Sequence, residues 1–120
     1  MKFITYENVE YVIGENDNDN WKIIDNAEGR QIWMHLKDFP SPHIIIKKDI
    51  DDLRLEAELN GLSSFHNYLN YGARICKQKA SPKYRCMRNL TVIYTEVKNI
   101  TKGRKPGEVF TKETMEIKNI

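Results

Sequence analysis

The chain has 120 residues, 40% of them hydrophobic and 30% charged, with a formal net charge of +2. This composition suits one soluble globular domain over residues 1–120, long enough to bury a core without metal or disulfide support. No apolar run approaches the ~18 residues that span a bilayer, and the opening Met1-Lys2-Phe3-Ile4-Thr5-Tyr6-Glu7 has no signal-peptide apolar region, so the expected location is intracellular, in the cytoplasm.

Phe3–Tyr6 and Val9–Ile13 are short, β-branched and aromatic, and read as strands that Gly14 ends. The polar run Glu15–Asn20 breaks the pattern and can start a helical turn through an Asx cap. Residues 21–27 read as a short helix or irregular segment, and Glu28-Gly29 as a turn. Gln31–Leu36 reads as a strand. Alternation puts Ile32, Met34 and Leu36 on one face, with Gln31, Trp33 and His35 on the other. The Pro40-Ser41-Pro42 corner leads into a second strand, His43–Lys48, which can lie beside the first.

Asp49, Asp51 and Asp52 offer capping carboxylates to the chain's long amphipathic helix, expected over roughly 51–71. Its stripe is Leu55, Leu59, Leu62, His66, Leu69, Ala73 and Cys76. Gly61 can divide this helix in two. Gly72 reads as a C-cap, although the stripe overruns it to Cys76. Ser81-Pro82 marks a loop, Leu90–Val97 is the strongest strand, and Lys102–Gly107 is a basic turn. Val109–Thr111 and Thr114–Ile117 read as a closing hairpin. The fold class that follows is α+β, an antiparallel or mixed sheet packed against one long amphipathic helix. The final strands offer an edge for dimerisation, but nothing in the sequence demands it, and the oligomeric state is open.

Recognised chemical motifs are few. Cys76 and Cys86, with nine residues between them, match no zinc spacing and read as free structural thiols. Asp17, Asp19 and Glu28 faintly echo a calcium loop, but Lys22 stands where that loop needs glycine. His35, His43 and His66 have no metal-ligand spacing. There is no phosphate loop, dinucleotide fingerprint or nucleophile elbow. No metal, cofactor or catalytic residue is expected. The two Asn-x-Thr sequons, at Asn89 and Asn99, would matter only in a secreted protein.

The small net charge conceals an asymmetry. Residues 1–73 carry 7 Lys/Arg against 13 Asp/Glu, whereas residues 74–105 carry 10 against the single acid Glu96. The basic set is Arg74, Lys77, Lys79, Lys83, Arg85 and Arg88, interleaved with Tyr84, then Lys98, Lys102, Arg104 and Lys105. Such a block is a phosphate-binding footprint if it folds onto one face, and a solvated surface if it scatters. Trp33, with His35 and His43, is either a stacking contact beside it or a core residue.

Several segments together resemble the RNA-binding domain of the NFACT family. They are Val12-Ile13-Gly14-Glu15-Asn16 with Asp17–Asn20, Trp33-Met34-His35, Pro40-Ser41-Pro42-His43, Val92–Lys98, and Lys105-Pro106-Gly107-Glu108-Val109. Their order runs from about residue 9 to 117. Four positions depart from the family pattern. Glu15 replaces a basic residue, Gln31 an aspartate, and Ser41-Pro42 a Gly-Ser. The resemblance implies a stand-alone, non-catalytic RNA-binding module for structured RNA such as tRNA or rRNA, with DNA and the ribosome as further partners and no membrane. It implies contacts by the basic set and by Trp33, His35 and His43. Large family members act in ribosome-associated quality control through further domains that this chain lacks, so that activity is not implied. Two other readings stand beside it. One is a protein-interaction module docking on the ribosome or another complex. The other is an enzyme using His35 and His43 as acid and base.

Overall fold

A computed structural model describes all of residues 1–120. Strands β1 (Lys2–Tyr6) and β2 (Val9–Ile13) form a hairpin closed by Glu7 and Asn8. Both turn residues have positive φ (46° and 67°), which matches the right-handed twist of a two-residue hairpin. Helix α1 (Asp17–Asp25) follows, its N-cap Asn16 accepting the Asp19 N–H at 2.9 Å. Then come β3 (Ile32–Leu36), β4 (Ile44–Ile46), α2 (Ile50–Leu59), α3 (His66–Gln78) and a one-turn α4 (Pro82–Arg85). The chain closes with β5 (Val92–Glu96), a 3₁₀ turn (Val97–Asn99), β6 (Ile100–Lys102), β7 (Val109–Thr111) and β8 (Met115–Ile117). No helix is long and apolar enough to cross a membrane.

Six strands form one antiparallel sheet in the order β1-β2-β4-β3-β5-β8, and β6 pairs with β7 in a separate ribbon. The α+β class is as expected, and β3 and β4 are indeed neighbours. The expected closing hairpin is not formed. β7 pairs with β6, while β8 crosses to β5. Glu113 turns the connection at φ 54°, and the Thr95 hydroxyl reaches the carbonyls of Lys112 and Glu113 at 3.1 Å, fixing the crossing to β5.

The single long helix is divided at Gly61, whose φ of 71° ends α2 in a conformation costly for L-residues. The second half restarts at His66 and runs through Gly72 to Gln78. Gly72 is therefore no cap. It is buried in mid-helix, where a Cβ would meet the Met34 sulfur at 2.5 Å. Glycine serves there to bring α3 close to β3.

The sheet is covered on both faces. On one, α2 and α3 bury Leu53, Ala57, Leu69, Ala73 and Cys76 against Ile32, Met34, Leu36, Ile44 and Ile46. On the other, a smaller cluster places Ile23 and Ile24 of α1 against Val12, Trp33, Ile45 and Val97. Alternation along β3 thus holds, but its second face is also interior. Cys76 lies fully buried and Cys86 exposed, both free.

Candidate nucleic-acid interface

The basic block is carried by rigid elements. Helix α3 turns Tyr68, Leu69, Ala73 and Cys76 inward, which leaves Arg74 exposed and Lys77 half-buried on its outer side. Lys77 donates to a main-chain oxygen of Ile120 at 3.0 Å, and sits in the last turn, where a cation complements the helix dipole. Pro82 occupies the first turn of α4, the position where its missing N–H costs nothing. That short helix aims Arg85 back at α3. Arg74, Lys77 and Arg85 with Gln78, Asn119 and Ile120 line a cleft of about 510 Å³ with no carboxylate side chain in its walls. Lys79 lines the neighbouring cleft, facing the Pro40-Ser41-Pro42 corner and the start of α1. Lys83 and Arg88 are exposed beside them.

The ten cations are not equivalent. Lys98 lies 3.7 Å from Glu96, and Lys102 pairs with Asp25 while its ammonium sits 5.3 Å over the Trp21 ring. The other eight have no carboxylate side chain within 4.0 Å. Six of these belong to α3, α4 and their flanks. Arg104 and Lys105 occupy the β6–β7 loop, which Gly107 turns at φ 89°. Of the three cations expected there, Lys102 alone is paired with a carboxylate side chain, that of Asp25, and the pair is exposed to solvent.

Trp33, His35 and His43 do come together. Their rings lie 4.9 to 5.8 Å apart, with the Trp33 and His35 planes within 2° of parallel. The Trp33 indole N–H donates to His43 Nδ1 at 3.0 Å, which places the neutral imidazole proton on Nε2. The His43 main-chain N–H donates to Asn20 Oδ1 at 3.2 Å, tying the strand to α1. His35 Nδ1 donates to the Leu36 carbonyl at 2.6 Å. Burial, with His35 nearby, pushes His43 down to about 3, and burial likewise lowers His35. His43 therefore does not exchange protons near neutrality, which weighs against its use as a general acid or base.

Trp33 is 1% and His43 3% exposed. Of the two alternatives for Trp33, the structure shows the core residue, with His43 buried beside it. α1 covers their face of the sheet, and they form the floor of a cleft of about 410 Å³ instead. His35 stays partly open on that floor. One wall is the corner Asp38-Phe39-Pro40, and the other is Gly107-Glu108-Val109 at the end of the basic loop.

Sequence reasoning passed over Phe39. Its ring packs on Tyr84 of α4 at 5.2 Å, and both are half-buried. The Lys83 ammonium lies 5.8 Å from the Tyr84 centroid. This pair links the cationic helices to the cleft. The available signal was Tyr84 among the cations, while Phe39 had only its place next to Pro40.

A family model described as the NFACT protein RNA binding domain matches residues 1–119. The fold is also similar to the solved structure of the C-terminal part of the fibronectin/fibrinogen-binding protein from Streptococcus suis. The TM-score is 0.72 at 18% identity, over 98% of this chain and 44% of that chain. The present chain thus spans less than half of that structure's length, and at this identity the likeness is one of fold. No curated protein matches the sequence. With nearly every residue covered by the family model, the chain belongs to the NFACT protein RNA-binding domain family.

Proposed function

We propose that the chain is a non-catalytic module that binds structured RNA such as tRNA or rRNA in the cytoplasm, holding phosphates on α3 and α4. The observation that carries this reading is the cleft of Arg74, Lys77 and Arg85. Three cations converge there from two helices, no carboxylate side chain pairs with them, and Lys79, Lys83 and Arg88 extend the field. Phosphate contacts of this kind supply affinity that falls steeply with salt. The β6–β7 loop with Arg104 and Lys105 forms a second, smaller contact across the cleft over Trp33.

The test is equilibrium binding of tRNA, an rRNA fragment and duplex DNA across a salt series. For the triple variant Arg74→Gln, Lys77→Gln, Arg85→Gln, the log–log salt slope for duplex regions drops by about 3, near 0.9 per lost contact. An unchanged slope removes this cleft from the footprint. Docking on a protein of the ribosome is the second reading. The exposed Leu55 and Leu59 on acidic α2 favour it, being apolar and remote in sequence from the basic block. Binding to ribosomes that survives loss of the three cations but not Leu55→Ser would select it.

A further inference from the structure

The cleft over Trp33 differs in kind from the cationic cleft beside it. Its rim is basic, with Lys83 next to the Phe39–Tyr84 pair on one side and Arg104 and Lys105 on the other. Its interior holds no Lys or Arg. Aromatic and aliphatic side chains make the floor, and carboxylates stand in both walls, Asp38 in one and Glu108 in the other. Carboxylates repel phosphate and accept N–H donors. A volume of about 410 Å³ lies within the range of small-molecule sites. An uncharged planar ring bearing N–H groups meets these conditions, with its phosphates left at the rim.

The two carboxylates have different duties. Glu108 Oε1 already accepts the Arg104 main-chain N–H at 2.8 Å, which shapes the basic loop. Asp38 is exposed, in the left-handed region at φ 68°, and has no ion-pair partner. The neighbouring Lys37 is engaged by Glu116 at 2.7 Å. Asp38 is therefore the free acceptor at the cleft. Guanine presents two adjacent N–H donors, N1–H and the N2 amino group, to a single carboxylate. Uracil presents one N–H between two carbonyls, which a carboxylate opposes. Phe39, next in the chain, offers the half-exposed ring on which a base can stack.

We propose that this cleft takes one unpaired guanine of a bound RNA strand, stacked on Phe39 and read by the Asp38 carboxylate, with its flanking phosphates held on the basic rim. This rests on the RNA-binding reading above and adds to it a base-reading site on a different set of residues.

The experiment is fluorescence-polarisation binding of labelled oligouridine strands of about ten nucleotides, a length within reach of a single small domain. They are used with and without one central guanine, as RNA and as the matching DNA, and as a fully paired duplex. The guanine strand is expected to bind about tenfold more tightly than the all-uridine strand, the scale of one good base contact. The same ratio in DNA supports the proposal, since the contacts are to the base alone. Asp38→Asn keeps the shape and tolerates the positive φ, and should abolish the preference. Phe39→Ala should weaken binding of the guanine strand about tenfold without changing the salt slope, and Phe39→Tyr should restore it. Equal affinity for guanine and uridine strands, with a steep salt slope, overturns the cleft proposal and leaves the phosphate site standing. An unaltered preference in Asp38→Asn also overturns it. No salt-dependent affinity for any strand, nor for tRNA, overturns both.

Discussion

Acid should destabilise this protein through His43 before its carboxylates titrate. The buried imidazole accepts the Trp33 indole N–H through Nδ1, so protonation there sets two N–H donors against each other at a buried position. Its pKa falls from 6.5 to about 3. In the unfolded chain the same group binds a proton near pH 6.5. Between these values the unfolded state holds more protons, so stability is full above pH 6.5 and is lost as pH falls toward 3. The slope approaches 1.36 kcal/mol per pH unit. From pH 7 to pH 5 the loss is about 2 kcal/mol, a large part of a small domain's stability. The lowered pKa of His35 acts in the same direction. Urea denaturation at pH 7, 6 and 5, followed by Trp fluorescence, measures this directly. His43→Asn keeps an acceptor for the indole but cannot titrate. It should start from a lower stability and lose markedly less on acidification. A wild-type stability that is flat from pH 7 to pH 5, or an equally steep loss in His43→Asn, would refute the reasoning.

Other consequences can be checked by the same denaturation assay or by binding. Gly14→Ala should cost about 1–3 kcal/mol, because the new Cβ meets Asn20 Oδ1, the acceptor of the His43 N–H, and overpacking at a buried site is of that order. Gly61→Ala meets no steric obstacle but places an L-residue at φ 71°, and should cost about 1 kcal/mol, read as a lower urea midpoint at constant m-value. Lys102→Gln should leave the salt slope of RNA binding unchanged while Arg104→Gln lowers it by just under one, since only the second cation is free.

The strands were legible because their signals are local. β2, β3, β4 and β5 carry β-branched runs bounded by glycine, proline or polar residues, and β3 beside β4 follows from the short Pro40-Ser41-Pro42 connection. The basic block was equally plain. What the sequence hid was set by tertiary packing. Alternation placed Trp33 opposite Ile32 and Met34 correctly, but whether that face is wet depends on α1, a helix rich in Asp and Asn whose only buried apolar residues are Ile23 and Ile24. Gly72 looked like a stop because glycine so often ends helices, whereas here it admits the Met34 side chain. The pairing of Lys102 with Asp25 joins residues far apart in sequence, and no spacing rule reveals it. Phe39 and Asp38 gained their meaning only when α4 and the β6–β7 loop were seen on either side of them.

The strand order has a consequence for assembly. The β1–β2 hairpin and the β3–β4 pair close over short connections, so their loop-closure cost is low. β5 joins β3 only after the whole segment of α2, α3 and α4 has been gathered in, pairing Ile32 with Glu96 and Leu36 with Val92. Contacts of such long separation form late in small domains. The cationic helices can therefore collapse onto β3 and β4 before the cleft exists, because Ile93 of β5 and the Gly107–Val109 wall arrive with the last third of the chain. A ribosome-bound nascent chain that has emerged only as far as α4 would present the basic charges of α3 and α4 without the cleft proposed to read a base, and on that proposal would attract nucleic acid before it can discriminate among bases.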